Sequence, residues 1–165
     1  SFQTPWVAFT KVSGLSSVFG STKLFGKYNL TYLNPDESYE VDAVSGSCMM
    51  LRREVYQSIG GLDEDFFMYG EDLDWCYRGQ KSGWKVFYVA DTKIIHYKGV
   101  SSGIKKESKD ITMASRQSKK KALTESTRAM KLFYKKHYRD KYPKLVTFLV
   151  LSTISIIEKL RLARV

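Results

Sequence analysis

Residues 60–78 have the sequence GGLDEDFFMYGEDLDWCYR, which combines two helix boundaries with an unusual density of carboxylates. The glycine pair at its start predicts the end of a helix over 52–59. The acids near its end would occupy the first turn of a second helix, over 71–83, where they complement the helix dipole. Six carboxylates fall within twelve positions: Asp63, Glu64, Asp65, Glu71, Asp72 and Asp74. The aromatic patch between them predicts a loop that is anchored by apolar side chains and presents acids at a helix start.

The apolar stretches on either side of this motif predict strands. Residues 41–51, VDAVSGSCMML, indicate a core strand in which Gly46 allows backbone or ligand to approach closely. Alternation over 85–89 predicts a second strand, and 92–97 a third. Residues 1–38 predict only short helical turns and loops. The order strand, helix, helix, strand, strand indicates a mixed α/β fold.

The acidic and basic residues are distributed unevenly along the chain. The net charge is +10, yet residues 1–104 contain 10 basic and 12 acidic side chains. Residues 105–144 contain 14 basic and 4 acidic side chains, and such a segment usually meets an anionic partner unless it is simply a solvated helix. We therefore expect a globular part over 1–104, a basic helical segment over 105–142 and a membrane-interface helix over 143–165.

A helix over 115–138 would carry its apolar side chains on one side and lysines on the rest.

The apolar run in the last of these three parts is short for a membrane span. This run, 145–157, is diluted by hydroxyl residues, whereas a bilayer span takes about 20 apolar residues. We expect it to lie in the interface, with its terminal cations on anionic headgroups. A buried core helix is the alternative.

The cysteines and the first residues both favour a cytoplasmic location. Cys48 and Cys76 lie in apolar surroundings without Cys-x-x-Cys spacing, which predicts buried free thiols in a reducing compartment. The first residues lack a basic stretch followed by an apolar run, so no signal peptide is expected. With the interfacial helix, this predicts a protein peripheral on the inner face of the cell membrane.

In pattern and residue order the chain resembles the family 2 glycosyltransferases, above all the bacterial rhamnosyltransferase-like members that build cell-surface polysaccharide. The resemblance runs from about Phe25 through Ser102 and is carried by VDAVSGS at 41–47, RRE at 52–54, GGLDE at 60–64, FFMYGED at 66–72, Asp74, Arg78, GW at 83–84 and IH at 95–96. It implies a partial type A glycosyltransferase fold (GT-A, nucleotide-diphospho-sugar transferase-like) with a C-terminal helical extension. The nucleotide-binding half, with its Asp-x-Asp metal motif, has no counterpart in this sequence, so we expect an acceptor-side half.

The resemblance assigns Asp72 as the catalytic base. An attacking sugar hydroxyl has a very high pKa, so a carboxylate must accept its proton as the bond to the anomeric carbon forms. Direct attack of this kind inverts the anomeric centre. Acceptor contacts are expected from Glu71, Asp74, Gly46, Ser47 and Trp84. The alternatives are that the acids only cap the helix and that Trp84 packs in the core.

The cofactor implied by the resemblance is a divalent cation, magnesium or manganese, held mainly by the N-terminal half. His96 matches a family position that approaches the cation on the donor diphosphate, where imidazole would ligate the metal or touch phosphate. A structural histidine at the end of a strand is the alternative.

The predicted function is inverting, non-processive transfer of a hexose, including rhamnose, from a nucleotide-sugar to a lipid-linked glycan acceptor. The Gln-x-x-Arg-Trp signature of processive synthases is missing, because Gly83 precedes Trp84. One alternative is a catalytically silent glycan-binding or assembly module. Association of the chain into a homo-oligomer is left open. The least favoured is a nucleic-acid-binding segment over 105–141, where Tyr134 and Tyr138 alternate with basic residues.

Overall fold

Helices make up most of the regular structure in the computed structural model, which describes residues 1–96, 102 and 112–165. In chain order the helices are α1 (Pro5–Val12), α2 (Leu15–Val18), α3 (Arg53–Ile59), α4 (Glu71–Lys81), α5 (Arg116–His137) and α6 (Lys144–Leu162). The strands are β1 (Tyr39–Glu40) and β2 (Phe87–Tyr88), and 3-10 turns occur at Gly26–Tyr28 and Gly46–Cys48. Two units result: unit 1 (Ser1–Asp63 and Asp72–Ile94) and unit 2 (Glu64–Glu71 and Ile95–Val165).

The sheet is smaller than the sequence predicts. β1 and β2 pair antiparallel, with Tyr39 opposite Tyr88 and Glu40 opposite Phe87. The strand predicted over 85–89 is thus confirmed only at its centre. The strand predicted over 92–97 is wrong as far as residue 96, and residue 97 lies outside the described part of the chain. Of the predicted α/β fold, the described residues therefore form the helices and a single pair of two-residue strands.

The core strand predicted over 41–51 is also wrong. The Val41 N–H still pairs with the Val86 carbonyl at 2.9 Å, but the chain then turns into a 3-10 turn at Gly46–Cys48, and Met50 is fully exposed. The Ser45 hydroxyl caps this turn by accepting the Ser47 N–H at 3.4 Å. Side chains that capture backbone donors in this way compete with a sheet ladder.

α4 is the central element of unit 1. It confirms the helix predicted over 71–83 as far as Lys81, and it buries Trp75, Cys76 and Tyr77. The Trp75 indole donates to the Gly60 carbonyl at 2.9 Å, just after α3, and the Gln80 amide donates to the Val41 carbonyl at 3.0 Å. These bonds connect the middle and the C-terminal end of α4 to segments that precede it in the chain.

α5 and α6 run antiparallel in unit 2, and α5 confirms the helix predicted over 115–138. The Tyr134 hydroxyl lies 3.2 Å from that of Thr147, and Lys131 pairs with Glu158 at 2.8 Å. The aromatic loop of the opening motif packs on α5, where the Lys136 ammonium pairs with the Asp65 carboxylate at 2.6 Å. Part of the basic charge of α5 is therefore used inside unit 2.

α6 extends the predicted apolar run at both ends and buries only Ile154 in full. None of the described helices combines the length and apolarity that a bilayer crossing needs. The boundary predicted at 142/143 falls between two helices of one unit, and the boundary at 104 lies outside the described residues.

Candidate active site

The Asp72 carboxylate is held by main-chain donors at the start of α4. Its Oδ2 accepts the Gly46 N–H at 2.9 Å, and its Oδ1 accepts the Leu73 N–H at 2.8 Å. A Cβ at Gly46 would lie 3.4 Å from the Asp72 Cβ and 3.7 Å from Oδ2. The structure therefore brings together Gly46 and Asp72, and the backbone fixes the orientation of the carboxylate.

The turn that carries Gly46 adds two exposed hydroxyls next to it in the chain. The Ser45 and Ser47 Oγ atoms lie 3.0 Å apart, and both side chains are exposed. Ser47, predicted as an acceptor contact, thus adjoins the residue that touches Asp72. Hydroxyls of this kind can donate to or accept from sugar hydroxyls.

Glu71 precedes Asp72, and its side chain is half-buried. Its Oε2 atom is buried and has no hydrogen-bond partner among the described residues. Buried polar atoms are nearly always hydrogen-bonded, so this orphaned carboxylate oxygen is unusual.

Asp74 has different surroundings from those expected of an acceptor contact. The residue is completely buried, and its Oδ2 pairs with the Arg78 Nε at 2.7 Å. The same guanidinium donates to the Ile59 carbonyl at 2.6 Å and to the Gly61 carbonyl at 2.7 Å. This geometry replaces the expected acceptor contact with an internal ion pair that connects α4 to the segment around the end of α3.

Arg78 is the important residue whose role the sequence reasoning missed. Its place in the motif predicts no role for it, but its spacing of four residues from Asp74 is a local signal for an ion pair. Opposite charges at positions i and i+4 lie on the same face of a helix.

Trp84 lies beyond the opposite end of α4 from Asp72. Gly83 has a left-handed φ of 86°, and the Trp84 N–H returns to the Gly79 carbonyl at 3.0 Å, which closes the helix end. The Trp84 indole donates to the Ser58 hydroxyl at 3.1 Å. A helix of this length spans roughly 15 Å, so the structure does not bring Trp84 to Asp72.

His96 is exposed and belongs to unit 2. Across residues 1–96, 102 and 112–165, no group of three or more His, Cys, Asp or Glu side chains is arranged to hold a metal ion. These residues alone do not fit a resident divalent cation, so no chemical step is derived through one.

The two cysteines differ in environment. Cys76 is buried one helical turn after Asp72, and burial raises the pKa of its thiol; the Val44 backbone lowers that pKa and the Asp72 charge raises it again. Cys48 is exposed, so the prediction of a buried thiol is wrong there.

The aromatic residues offered for nucleic-acid stacking are buried. Tyr134 is 3% exposed and Tyr138 is 4% exposed, and their rings pack 6.0 Å apart at the end of α5. Bases stack on accessible aromatic faces, so this geometry removes the main support for that alternative.

Comparison with known proteins identifies relatives that act on sugars. The N-acetylglucosaminyl-diphospho-decaprenol L-rhamnosyltransferase of Mycobacterium tuberculosis is 41% identical over 76 residues, which cover 46% of this chain and 24% of the relative. Rhamnosyltransferase WbbL of Escherichia coli is 39% identical over 57 residues, covering 34% and 22%. The low-salt glycan biosynthesis hexosyltransferase Agl10 of Haloferax volcanii is 39% identical over 56 residues, covering 34% and 18%. No solved structure matches the chain.

These matches span 18–24% of the length of the three relatives. A family model described as glycosyl transferase family group 2 matches residues 5–159, which is nearly the whole chain. The chain therefore belongs to glycosyl transferase family group 2, and over part of its length it is similar to rhamnosyltransferases.

Proposed function

We propose that this chain forms the acceptor-side half of an inverting, non-processive GT-A glycosyltransferase in which Asp72 is the catalytic base. The family implies sugar transfer in glycan biosynthesis and a fold of the GT-A type. The proposed acceptor is a lipid-linked glycan and the proposed donor a nucleotide-sugar. The name of the mycobacterial relative, which specifies a diphospho-decaprenol-linked sugar, supports this substrate class.

In the proposed step, an acceptor hydroxyl attacks the anomeric carbon of the donor sugar. The new carbon–oxygen bond forms as the bond to the nucleotide diphosphate breaks, and the hydroxyl proton passes to the Asp72 carboxylate. The nucleotide diphosphate leaves with the electron pair of the broken bond. The contact of His96 with the donor diphosphate or its cation stays a prediction, and no part of this step passes through a metal ion.

The observation that carries the proposal is the pair of main-chain bonds to Asp72. A carboxylate has about four lone-pair sites, and the Gly46 and Leu73 donors occupy one on each oxygen. The remaining sites can accept a hydroxyl proton without any rearrangement of the side chain. Preorganisation of this kind is what a general base needs.

The groups around Asp72 support an acceptor site there. Ser47 offers an exposed hydroxyl, and Gly46 leaves the space that a side chain would fill. We assign Asp74 to positioning of α4 and make no use of Trp84 in the site.

A transfer assay tests this function. The 165-residue chain would be incubated, alone and with the nucleotide-binding half of a family member, with nucleotide-linked hexoses, including L-rhamnose, and a prenyl-diphosphate-linked N-acetylglucosamine. We expect a disaccharide product with inverted anomeric configuration. Binding of the glycan without transfer in every combination would instead favour the silent binding module.

We also propose that the outer face of α6 contacts the membrane on which such an acceptor resides. Five apolar side chains, each 54–68% exposed, lie on the face opposite Ile154: Leu145, Phe148, Leu149, Ile156 and Leu160. The exposed Thr153 hydroxyl bonds back to the Leu149 carbonyl at 2.8 Å, which suits an apolar surrounding. Exposed Lys159, Arg161 and Arg164 would reach anionic headgroups. We therefore propose a peripheral location on the cytoplasmic face.

Polar substitution of this face should weaken vesicle binding. The double variant Phe148→Gln/Ile156→Gln should lower partition onto anionic phospholipid vesicles by about tenfold, because two large apolar side chains no longer enter the interface. Vesicle flotation at low salt measures the fraction of the chain that partitions onto the vesicles. Deleting α6 is a poorer test, because it would uncover α5. The matched control Met50→Gln/Met113→Gln changes two fully exposed residues elsewhere. Equal losses for both double variants would contradict the membrane contact.

A further inference from the structure

Unit 1 contains an open cavity that the proposed reaction does not use. Its volume is about 510 Å³, and it is bounded by polar side chains from the segment of residues 11–31. These are Lys11, Ser16, Ser17, Ser21, Asn29 and Thr31. The chain has no Asp or Glu before Asp36, whereas it has three lysines there. The cavity is therefore lined by a cation and neutral donors, with no carboxylate in its lining.

Most of these donors are free to meet a ligand. The Ser16, Ser17, Ser21 and Asn29 side chains make no hydrogen bond to any described residue. The Lys11 ammonium lies 5.0 Å from the centre of the Tyr28 ring and pairs with no carboxylate in the described part of the chain. An ammonium surrounded by hydroxyl and amide donors is a suitable environment for phosphate oxygens.

The local backbone is unusually constrained at this cavity. A Cβ at Gly20 would lie 2.6 Å from the Ser16 carbonyl oxygen, and one at Gly26 would overlap the Gly20 carbonyl oxygen. Leu30, between two lining residues, has a left-handed φ of 55°, which is strained for a bulky side chain. Residues held in such conformations occur preferentially at ligand sites.

An exposed apolar surface adjoins the cavity. Val18 lines the cavity and is 74% exposed, and Phe19 follows it in the chain. Phe19 packs 5.5 Å from Phe25, which in turn lies 6.0 Å from Trp6. Phe9 lies 5.9 Å from Trp6 and is 55% exposed, so it continues this surface. Contiguous exposed apolar patches mark interaction sites.

We propose that this cavity and surface bind the prenyl diphosphate anchor of the acceptor lipid. The diphosphate would lie against Lys11 and the neighbouring donors, and the first prenyl units would cover Val18 and the aromatic rings. A ligand that is anionic at one end and apolar along its length matches both the polar cavity and the apolar surface. A free nucleotide or sugar would bind only in the cavity. This inference rests on the proposed function for the identity of the lipid, but its binding can be measured without transfer.

Binding of farnesyl diphosphate to the full 165-residue chain tests the proposal. We expect it to bind at least about tenfold more tightly than either inorganic diphosphate or farnesol, since only it presents both groups. Lys11→Gln should weaken farnesyl diphosphate binding by about tenfold. Val18→Ser should weaken binding of farnesyl diphosphate and leave that of inorganic diphosphate unchanged. Lys23→Gln is the matched control, because it removes the same charge from an exposed lysine outside the cavity lining and should change affinity by less than about twofold.

Three outcomes would overturn the inference: equal weakening by Lys11→Gln and Lys23→Gln, equal affinity for inorganic and farnesyl diphosphate, or equal affinity for farnesyl diphosphate and lysophosphatidylglycerol. The last would identify an ordinary phospholipid contact. Circular dichroism checks that each variant folds. The binding assay contains no sugar donor, so its result does not depend on the proposed base. If Lys11→Gln loses lipid binding while Asp72→Asn still transfers sugar, the lipid site stands and the proposed base is refuted. If Lys11→Gln binds the lipid normally while Asp72→Asn loses transfer, the base stands and the lipid site is refuted.

Discussion

Replacing Asp72 with Asn is expected to lower the rate of sugar transfer by about 10²–10⁴-fold, the usual contribution of a general base. The substitution preserves the shape of the side chain, but an amide cannot take up the proton of the attacking hydroxyl. One of the main-chain donors, from Gly46 or Leu73, would face the amide nitrogen, so a loss of about 1 kcal/mol in folding stability should accompany the change. The measurement is the transfer rate at saturating donor and acceptor, with donor affinity measured separately.

The pattern of change distinguishes a base from a structural acid. Asp72→Asn should reduce kcat and leave donor binding unchanged, whereas Asp74→Asn should mainly reduce stability, because that carboxylate is buried against Arg78. Asp91→Asn, at an exposed carboxylate of the same unit, controls for the loss of one negative charge. Full transfer activity in the Asp72 variant would refute the assignment. A loss of donor binding equal to the loss of rate would point to a positioning role instead.

The helices could be predicted because their signals are local. Gly60 ends α3 with a left-handed φ of 76°, and the acids at 71–72 begin α4, so both boundaries are set by nearby residues. α5 follows from the spacing of its apolar residues, and buried Leu123 and Phe133 bear this out. Family membership was equally accessible, because it depends on the order of residues in one motif.

The errors arise where the partner of a group is distant in the chain. The run 41–51 has the composition of a strand, yet the Gly46 N–H bonds to a carboxylate 26 residues later, which no local pattern reveals. Asp74 and Asp72 are equivalent by composition, and only packing separates the buried acid from the one beside Gly46. The cavity near Lys11 had one signal in the sequence, the absence of acids before Asp36, whose meaning depended on how that segment folds.

Replacing Arg78 with Ala should lower the free energy of unfolding of unit 1 by about 3–5 kcal/mol, the range for breaking one partner of a buried ion pair. The Asp74 side chain is only 1% exposed, so a buried charge would lose its ion pair with Arg78. The carbonyls of Ile59 and Gly61 would lose their donors as well. Arg78→Lys should fall between wild type and Ala, because one ammonium cannot reproduce the three directed bonds of the guanidinium. Urea unfolding followed by tryptophan fluorescence measures this unit, since Trp6, Trp75 and Trp84 all belong to it.

An exposed ion pair in the same unit provides the matched control. Lys93 and Asp36 lie 3.3 Å apart with side chains 79% and 71% exposed, so Lys93→Ala should change the unfolding free energy by less than about 1 kcal/mol. The double variant Asp74→Leu/Arg78→Met should recover much of the loss, because it removes the buried charge together with its partner. If Arg78→Ala unfolded at the same urea concentration as Lys93→Ala, the ion pair would not be what holds α4 in place. Asp72 would then owe its orientation to its bonds from Gly46 and Leu73, and Gly46→Pro, which deletes one of these two N–H donors, would become the more damaging change to transfer.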